Sequence, residues 1–131
     1  MKRRELRDRI FKMLFRVEFH EADSLGEQLQ EFIAENEPME EEDEAYIEHK
    51  YLAIKEKIEE IDAKINENAK GWKTSRMGKV DLTIIRLGVY EMLYDEEIPT
   101  SVAINEAVEL AKKYGTDDSP AFVNGILAKM A

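Results

Sequence analysis

Residues 47–65 read IEHKYLAIKEKIEEIDAKI, and the spacing of their apolar members decides the fold class. Ile47, Tyr51, Ile54, Ile58, Ile61 and Ile65 recur at steps of four, three, four, three and four. Side chains at that spacing share one face of an α-helix, because about 3.6 residues complete a turn. A half-buried strand would instead alternate with period two. The stripe holds fewer than three full heptads, which points to core inside an intramolecular bundle rather than to an extended coiled coil.

Helical patterns continue on both sides. Upstream, residues 3–20 place Leu6, Ile10, Met13, Leu14 and Val17 at helical spacing. Asp23 and Ser24 offer an N-cap, and Ser24 with Glu27 forms a capping-box pattern ahead of Leu25, Leu29, Phe32 and Ile33. Pro38 closes that second helix, and the acidic run from Glu40 to Glu44 leads into the third. Downstream, Gly71 breaks the pattern beside Trp72, the sole tryptophan, and a short turn through Thr74, Ser75 and Arg76 follows. Residues 79–94 are apolar nearly all round (Val80, Leu82, Ile84, Ile85, Leu87, Val89, Met92, Leu93), as a central helix must be, with Asp81 and Arg86 expected at an edge. Ser101 is expected to cap a helix ending at Tyr114, with Gly115 in the positive-φ position past its end. Ser119 and Pro120 then read as N-cap and first residue of a last helix through Phe122, Ile126, Leu127 and Met130. The expected fold is all-α: one domain over residues 1–131, built of two packed helical halves of roughly 1–70 and 71–131.

Composition excludes several function classes. The 131 residues contain no cysteine, which removes disulfide frameworks, thiol nucleophiles and cysteine-ligated zinc. No apolar run approaches the roughly 18 residues of a membrane span, and the basic start lacks the apolar region of a signal peptide. A small, soluble, cytoplasmic protein is expected. The net charge of −10 argues against binding polyanions through the overall field. It is unevenly spread, however: residues 1–16 carry +5, residues 17–68 carry −14 and residues 69–131 carry −1. The first helix is a basic patch suited to phosphate, whereas the acidic middle keeps helix faces solvated.

Enzyme signatures are missing. His20 and His49 stand in separate helices without the His-Glu-x-x-His arrangement, and Val17 and Tyr46 occupy the positions where a di-iron bundle would need glutamates. There is no glycine-rich phosphate loop and no nucleophile elbow. Asp117 and Asp118 with Glu106 suggest a carboxylate pair, but an acidic doublet before a helix start is explained by the helix dipole. The chain is expected to be no enzyme and to use no cofactor or metal.

The C-terminal third carries a specific pattern. Residues 102–127 read VAINEAVELAKKYGTDDSPAFVNGIL. Ala-Ile-Asn-Glu-Ala, then Ala-Lys-x-aromatic-Gly, an acidic-Asp-Ser step and Phe-Val-Asn-Gly resemble the signature of the NusB family of bacterial transcription antitermination factors. Arg86-Leu87 and Tyr90-Glu91 resemble that family's central helix, Trp72 with Arg76-Met77 the turn before it, and Arg3-Arg4, Arg7-Asp8 and Leu14-Phe15 its arginine-rich first helix. The likeness is strong after residue 71, fair over 3–19 and weak over 21–70. It implies an all-helical protein that binds the single-stranded boxA element of rRNA leader transcripts as a heterodimer with NusE, the small-subunit ribosomal protein. With other Nus factors, such proteins help elongating RNA polymerase resist termination, without catalysis or cofactor. Homodimers occur in parts of the family.

Residue by residue, the resemblance makes Arg3, Arg4 and Arg7 RNA contacts, with Lys2 and Lys12 auxiliary. Guanidinium groups suit this role because they bind phosphate bidentately and stack on bases. Tyr114, Asp118 and Phe122 match a second RNA-contacting cluster, in which aromatics stack splayed bases and a carboxylate accepts from a base amino group. Packing in the core is the other reading of Phe122, and dipole stabilisation the other reading of Asp118. Asn105 and Asn124 read as structural, holding loops through hydrogen bonds to backbone. Phe15 and Asp81 fall where the family meets NusE, although tyrosine is commoner at the first position and a longer acid at the second. Glu5 interrupts the arginine run, Lys12 replaces a common glutamine, Pro120 stands where a polar or basic residue is usual, and no basic tail follows Ala131. Weak RNA binding alone and tighter binding with NusE are therefore expected.

Two competing readings remain. The chain can be a helical protein-interaction module that binds no RNA and uses the acidic 17–68 segment. The related helical domain of rRNA cytosine methyltransferases is a further likeness, but 131 residues leave no room for the methyltransferase itself.

Overall fold

Helix-forming periodicity becomes six α-helices in the computed structural model, which describes residues 1–18, 25–36 and 38–131. They are α1 (Arg3–Val17), α2 (Leu25–Glu35), α3 (Glu41–Asn68), α4 (Lys79–Leu93), α5 (Thr100–Tyr114) and α6 (Ser119–Ala128), with a 3₁₀ turn at Thr74–Arg76. Every regular element among the described residues is helical. The Asp23–Ser24 cap, its pairing with Glu27 and His20 lie outside the described residues. The chain forms two compact units, Met1–Lys55 and Glu56–Ala131, with the boundary inside α3 and upstream of Gly71.

In the first unit α1 packs on α2. Leu6, Ile10, Phe11, Met13 and Leu14 of α1 are buried, as are Leu29 and Phe32 of α2. Arg16 fastens the two helices: its Nε donates to Gln28 Oε1 at 2.7 Å, and its other nitrogens reach Glu35 at 2.8 Å and Glu31 at 3.0 Å. This explains part of the acidity of the middle segment, whose carboxylates offset a cation of α1. The heptad stripe is buried as its spacing requires: Ile47, Tyr51, Ile54, Ile61 and Ile65 are inaccessible, and only Ile58 is half-buried.

In the second unit α4, α5 and α6 pack pairwise on one another. α4 is the most enclosed, with Leu82, Ile84, Ile85, Leu87 and Val89 buried and Leu93 alone among its apolar residues exposed. Two further polar residues of α4 are also buried, Thr83 and Glu91. The Thr83 hydroxyl is satisfied by donating to the Lys79 carbonyl at 2.7 Å. Arg86 sits at the expected edge, half-buried, where its Nε and Nη2 donate to the two carboxylate oxygens of Asp62 at 2.8 and 2.7 Å. This two-point pairing fixes α4 against the C-terminal part of α3.

Several end-of-helix expectations are corrected. α1 stops at Val17 rather than at residue 20. α5 begins at Thr100 with Pro99 as its N-cap, so Ser101 is inside the helix and caps nothing. α6 begins at Ser119 with Asp118 as N-cap, and the Ser119 Oγ reaches back to accept from the Thr116 N–H at 3.0 Å. Gly115 has φ −92° and ψ −167°, extended backbone open to any residue. Its glycine is required by crowding instead. A Cβ there would overlap Ser119 Oγ and lie 2.5 Å from Ser119 Cβ and 2.9 Å from the Ala111 carbonyl oxygen. Among the described residues the one glycine with positive φ is Gly71, at 88°, where the chain leaves α3.

Candidate nucleic-acid interface

Two patches carry the residues singled out for RNA, one in each unit. The first is the opening turn of α1. A helix start leaves backbone N–H groups pointing outward, and the basic residues there stand in water: Lys2, Arg3 and Arg4 are all exposed. The Met1 amine donates to Asp43 Oδ2 at 2.9 Å, which ties this end of α1 to the acidic first turn of α3. That hydrogen bond raises the amine pKa above its ordinary 8.0. Lys12 is exposed and paired with Asp8 at 3.4 Å, and Arg9 meets the same carboxylate at 3.1 Å.

Arg7 departs from the expectation of a solvent-facing contact. It is only 8% exposed, next to a buried Asp8. Its spacing explains this: Arg7 falls one residue after Leu6 and three before Ile10, both in the core, so it sits beside the apolar stripe of α1. α1 therefore brings Lys2, Arg3, Arg4 and Lys12 to the surface and draws Arg7 inward.

The second patch is the junction of α5 and α6. Tyr114 ends α5 half-buried, with Lys113 Nζ over its ring at 5.1 Å. Asp118 is exposed at the N-terminus of α6, and its side chain makes no capping hydrogen bond, so its oxygens face solvent while the helix dipole favours its charge. Phe122 follows one turn later, its N–H bonded to the Asp118 carbonyl at 3.1 Å. Its ring is half-buried, neither in the core nor free, and meets Trp72 edge-on at 5.2 Å between centroids and 72° between planes. That neighbour is absent from the sequence-derived site, because Trp72 and Phe122 are far apart along the chain. The one available signal was a lone tryptophan among basic residues. Asn105 and Asn124 do not hold loops: both are exposed inside helices, and neither side chain makes a hydrogen bond among the described residues.

The positions expected to meet a protein partner are both half-exposed. Phe15 stacks on the buried Phe11 at 6.0 Å with planes 20° apart, leaving part of its ring outward. Asp81, in the first turn of α4, stands at a helix start that favours its negative charge. Among the described residues no His, Cys, Asp or Glu side chains are grouped to hold a metal, and no helix is long and apolar enough to cross a membrane.

A basic helix start and an aromatic–acidic junction within an all-helical chain match the family resemblance. Residues 4–131 match the NusB family model. The chain belongs to the NusB family. It is 56% identical to the transcription antitermination protein NusB of Agathobacter rectalis over 131 residues, the whole of both chains. It is 51% identical to that of Lachnoclostridium phytofermentans, over 99% of this chain and 98% of the relative. Among solved structures, NusB of T. maritima superposes with a TM-score of 0.90 at 37% identity, covering 100% of this chain and 91% of that one. A chain from a crystal structure of antitermination factors NusB and NusE in complex with dsRNA superposes with a TM-score of 0.84 at 28% identity, covering 96% and 92%. The expected all-α NusB fold is thus the observed one. With membership of the NusB family comes the role of an antitermination factor rather than an enzyme.

Proposed function

We propose that this chain binds boxA-type single-stranded RNA of rRNA leader transcripts together with NusE, and so helps RNA polymerase, with other Nus factors, to resist termination in the cytoplasm. The observation that carries the reading is the exposed cluster of Lys2, Arg3 and Arg4 in a chain of net charge −10. Cations concentrated on one helix start serve a local anionic contact, whereas the negative remainder repels polyanions bound at random. Asp118 adds selectivity, since an exposed carboxylate repels phosphate and accepts from base amino groups. Tyr114 and Phe122 offer ring surface for unpaired bases. Support for the partner comes from the relative crystallised with NusE and RNA. Phe15 and Asp81 are the residues assigned to NusE, an aromatic surface beside the α1 core and a carboxylate for a basic partner.

The test is a mobility-shift titration of boxA RNA and a scrambled RNA, with and without NusE, at several salt concentrations. Tight, sequence-selective binding is expected only in the mixture. Equal binding of the two RNAs by the mixture would end the proposal. A nuclease-insensitive complex with another protein and no RNA binding would favour the protein-interaction module that uses the acidic 17–68 segment.

A further inference from the structure

We propose that the turn over residues 69–79 is a further RNA-binding surface, on which Trp72 stacks with an unpaired base while Lys70, Lys73 and Arg76 meet the phosphates around it. The inference rests on the reading of the chain as an RNA-binding protein and extends it to residues that reading does not use. The stretch reads AKGWKTSRMGK, with four cations and no acid. Residues 69–131 sum to −1, so this turn is a basic island in an otherwise acidic half of the sequence. Lys70, Lys73 and Arg76 are all exposed. Trp72 is 55% exposed, the most exposed large apolar side chain among the described residues. A tryptophan serving only to pack would bury its ring, and one left in water amid cations has the composition of a single-strand binding surface.

Geometry makes the surface both rigid and continuous with the proposed contacts. Asn66, near the end of α3, accepts from the Thr74 N–H at 2.8 Å and donates to the Thr74 hydroxyl at 3.3 Å. The Trp72 N–H bonds the Ala69 carbonyl at 2.9 Å, and Met77 anchors the far end of the turn in the core. A preformed turn loses little conformational freedom on binding. Because Trp72 meets Phe122 at 5.2 Å, a strand with one base on Phe122 reaches Trp72 with a neighbouring one. Stacking needs an open base face, so the ligand is single-stranded rather than duplex.

The sole tryptophan makes the test direct. Fluorescein-labelled boxA RNA is titrated with the full chain and NusE, following RNA anisotropy and Trp72 emission in parallel. Emission is expected to quench with the same midpoint as the anisotropy, and a duplex of the same sequence is expected to leave it unchanged. Trp72→Ala should weaken binding by about 5- to 150-fold, the range that loss of one stacked base implies. Trp72→Phe should retain most of the affinity. Lys73→Gln with Arg76→Gln should reduce the slope of log K against log salt by about 1.4 while leaving the circular dichroism and unfolding curve of the free protein unaltered. Wild-type binding with unchanged emission, and full affinity in Trp72→Ala and the double glutamine variant, would overturn the inference while leaving the RNA-binding reading intact. Quenching by NusE without RNA would also overturn it, in favour of a protein contact. Absence of any RNA binding by the wild type would remove both.

Discussion

Gly115→Ala offers a sharp check on how the α5–α6 junction is built. Gly115 adopts φ −92° and ψ −167°, which alanine tolerates, so backbone conformation alone makes the substitution favourable. The smaller conformational freedom of the unfolded chain would stabilise the variant by about 0.4–1 kcal/mol. Sterics oppose this. The new Cβ would overlap Ser119 Oγ and stand 2.5 Å from Ser119 Cβ and 2.9 Å from the Ala111 carbonyl oxygen. Neither neighbour yields readily. Ser119 is 2% exposed and its Oγ accepts from the Thr116 N–H at 3.0 Å. The Ala111 oxygen accepts the last helical hydrogen bond, from Gly115 N–H at 2.9 Å. Overpacking costs about 1–3 kcal/mol, and two constrained neighbours favour the upper part of that range. The net expectation is a loss of about 2 kcal/mol, read by urea unfolding followed by circular dichroism and Trp72 fluorescence. Ser119→Gly removes two of the three close contacts, so in the Gly115→Ala background it should cost less than it does alone, with a coupling of about 1–2 kcal/mol. A Gly115→Ala protein as stable as wild type, or strictly additive losses in the double variant, would refute the crowding argument.

Other consequences separate surface roles from structural ones. Phe122→Ala should weaken boxA binding by about 1–3 kcal/mol with an unchanged salt slope, because it removes a stacking contact and no charge. Arg3→Ala should lower the slope by about 0.7 with a smaller loss of affinity; both are measured by anisotropy across a salt series. Arg7→Ala should act mainly on stability, by about 1–3 kcal/mol in urea unfolding, since Arg7 is buried beside the α1 core. Asp43→Asn should destabilise the α1 start with a pH signature. The Met1 amine pKa is raised above 8.0 in the folded chain, so its contribution is fully present below pH 8 and fades as pH rises through the folded value. Thermal unfolding of wild type and variant should therefore differ at pH 7 and converge at higher pH.

The parts of the fold readable in the sequence are those governed by periodicity. The steps from Ile47 to Ile65 mark a helix face whatever packs on it, and all but Ile58 are buried. The all-round apolarity of residues 79–94 likewise marked α4 as enclosed. Caps proved less readable, because Ser, Asp and Pro serve equally at neighbouring positions: Ser119 is the first residue and Ser101 the second of the helices they were expected to cap. Gly115 was located correctly as a special position for the wrong physical reason, since a close approach between Ser119 and Ala111 is invisible without tertiary structure. In the site, exposure of Lys2, Arg3 and Arg4 followed from their place ahead of the first core residue, Leu6. The burial of Arg7 depends on the angular width of the α1 core face, which a charge count does not carry. The contact between Trp72 and Phe122 joins residues from distant parts of the chain, and no local pattern encodes it.

The most direct measurement is a photocrosslinking map of boxA RNA substituted with 4-thiouridine, bound to the chain with NusE and read by mass spectrometry. RNA binding at the two patches requires crosslinks on Tyr114, Phe122 and the peptide holding Lys2, Arg3 and Arg4. Crosslinks confined to the acidic residues 17–68, or equal yields with scrambled RNA, would contradict it.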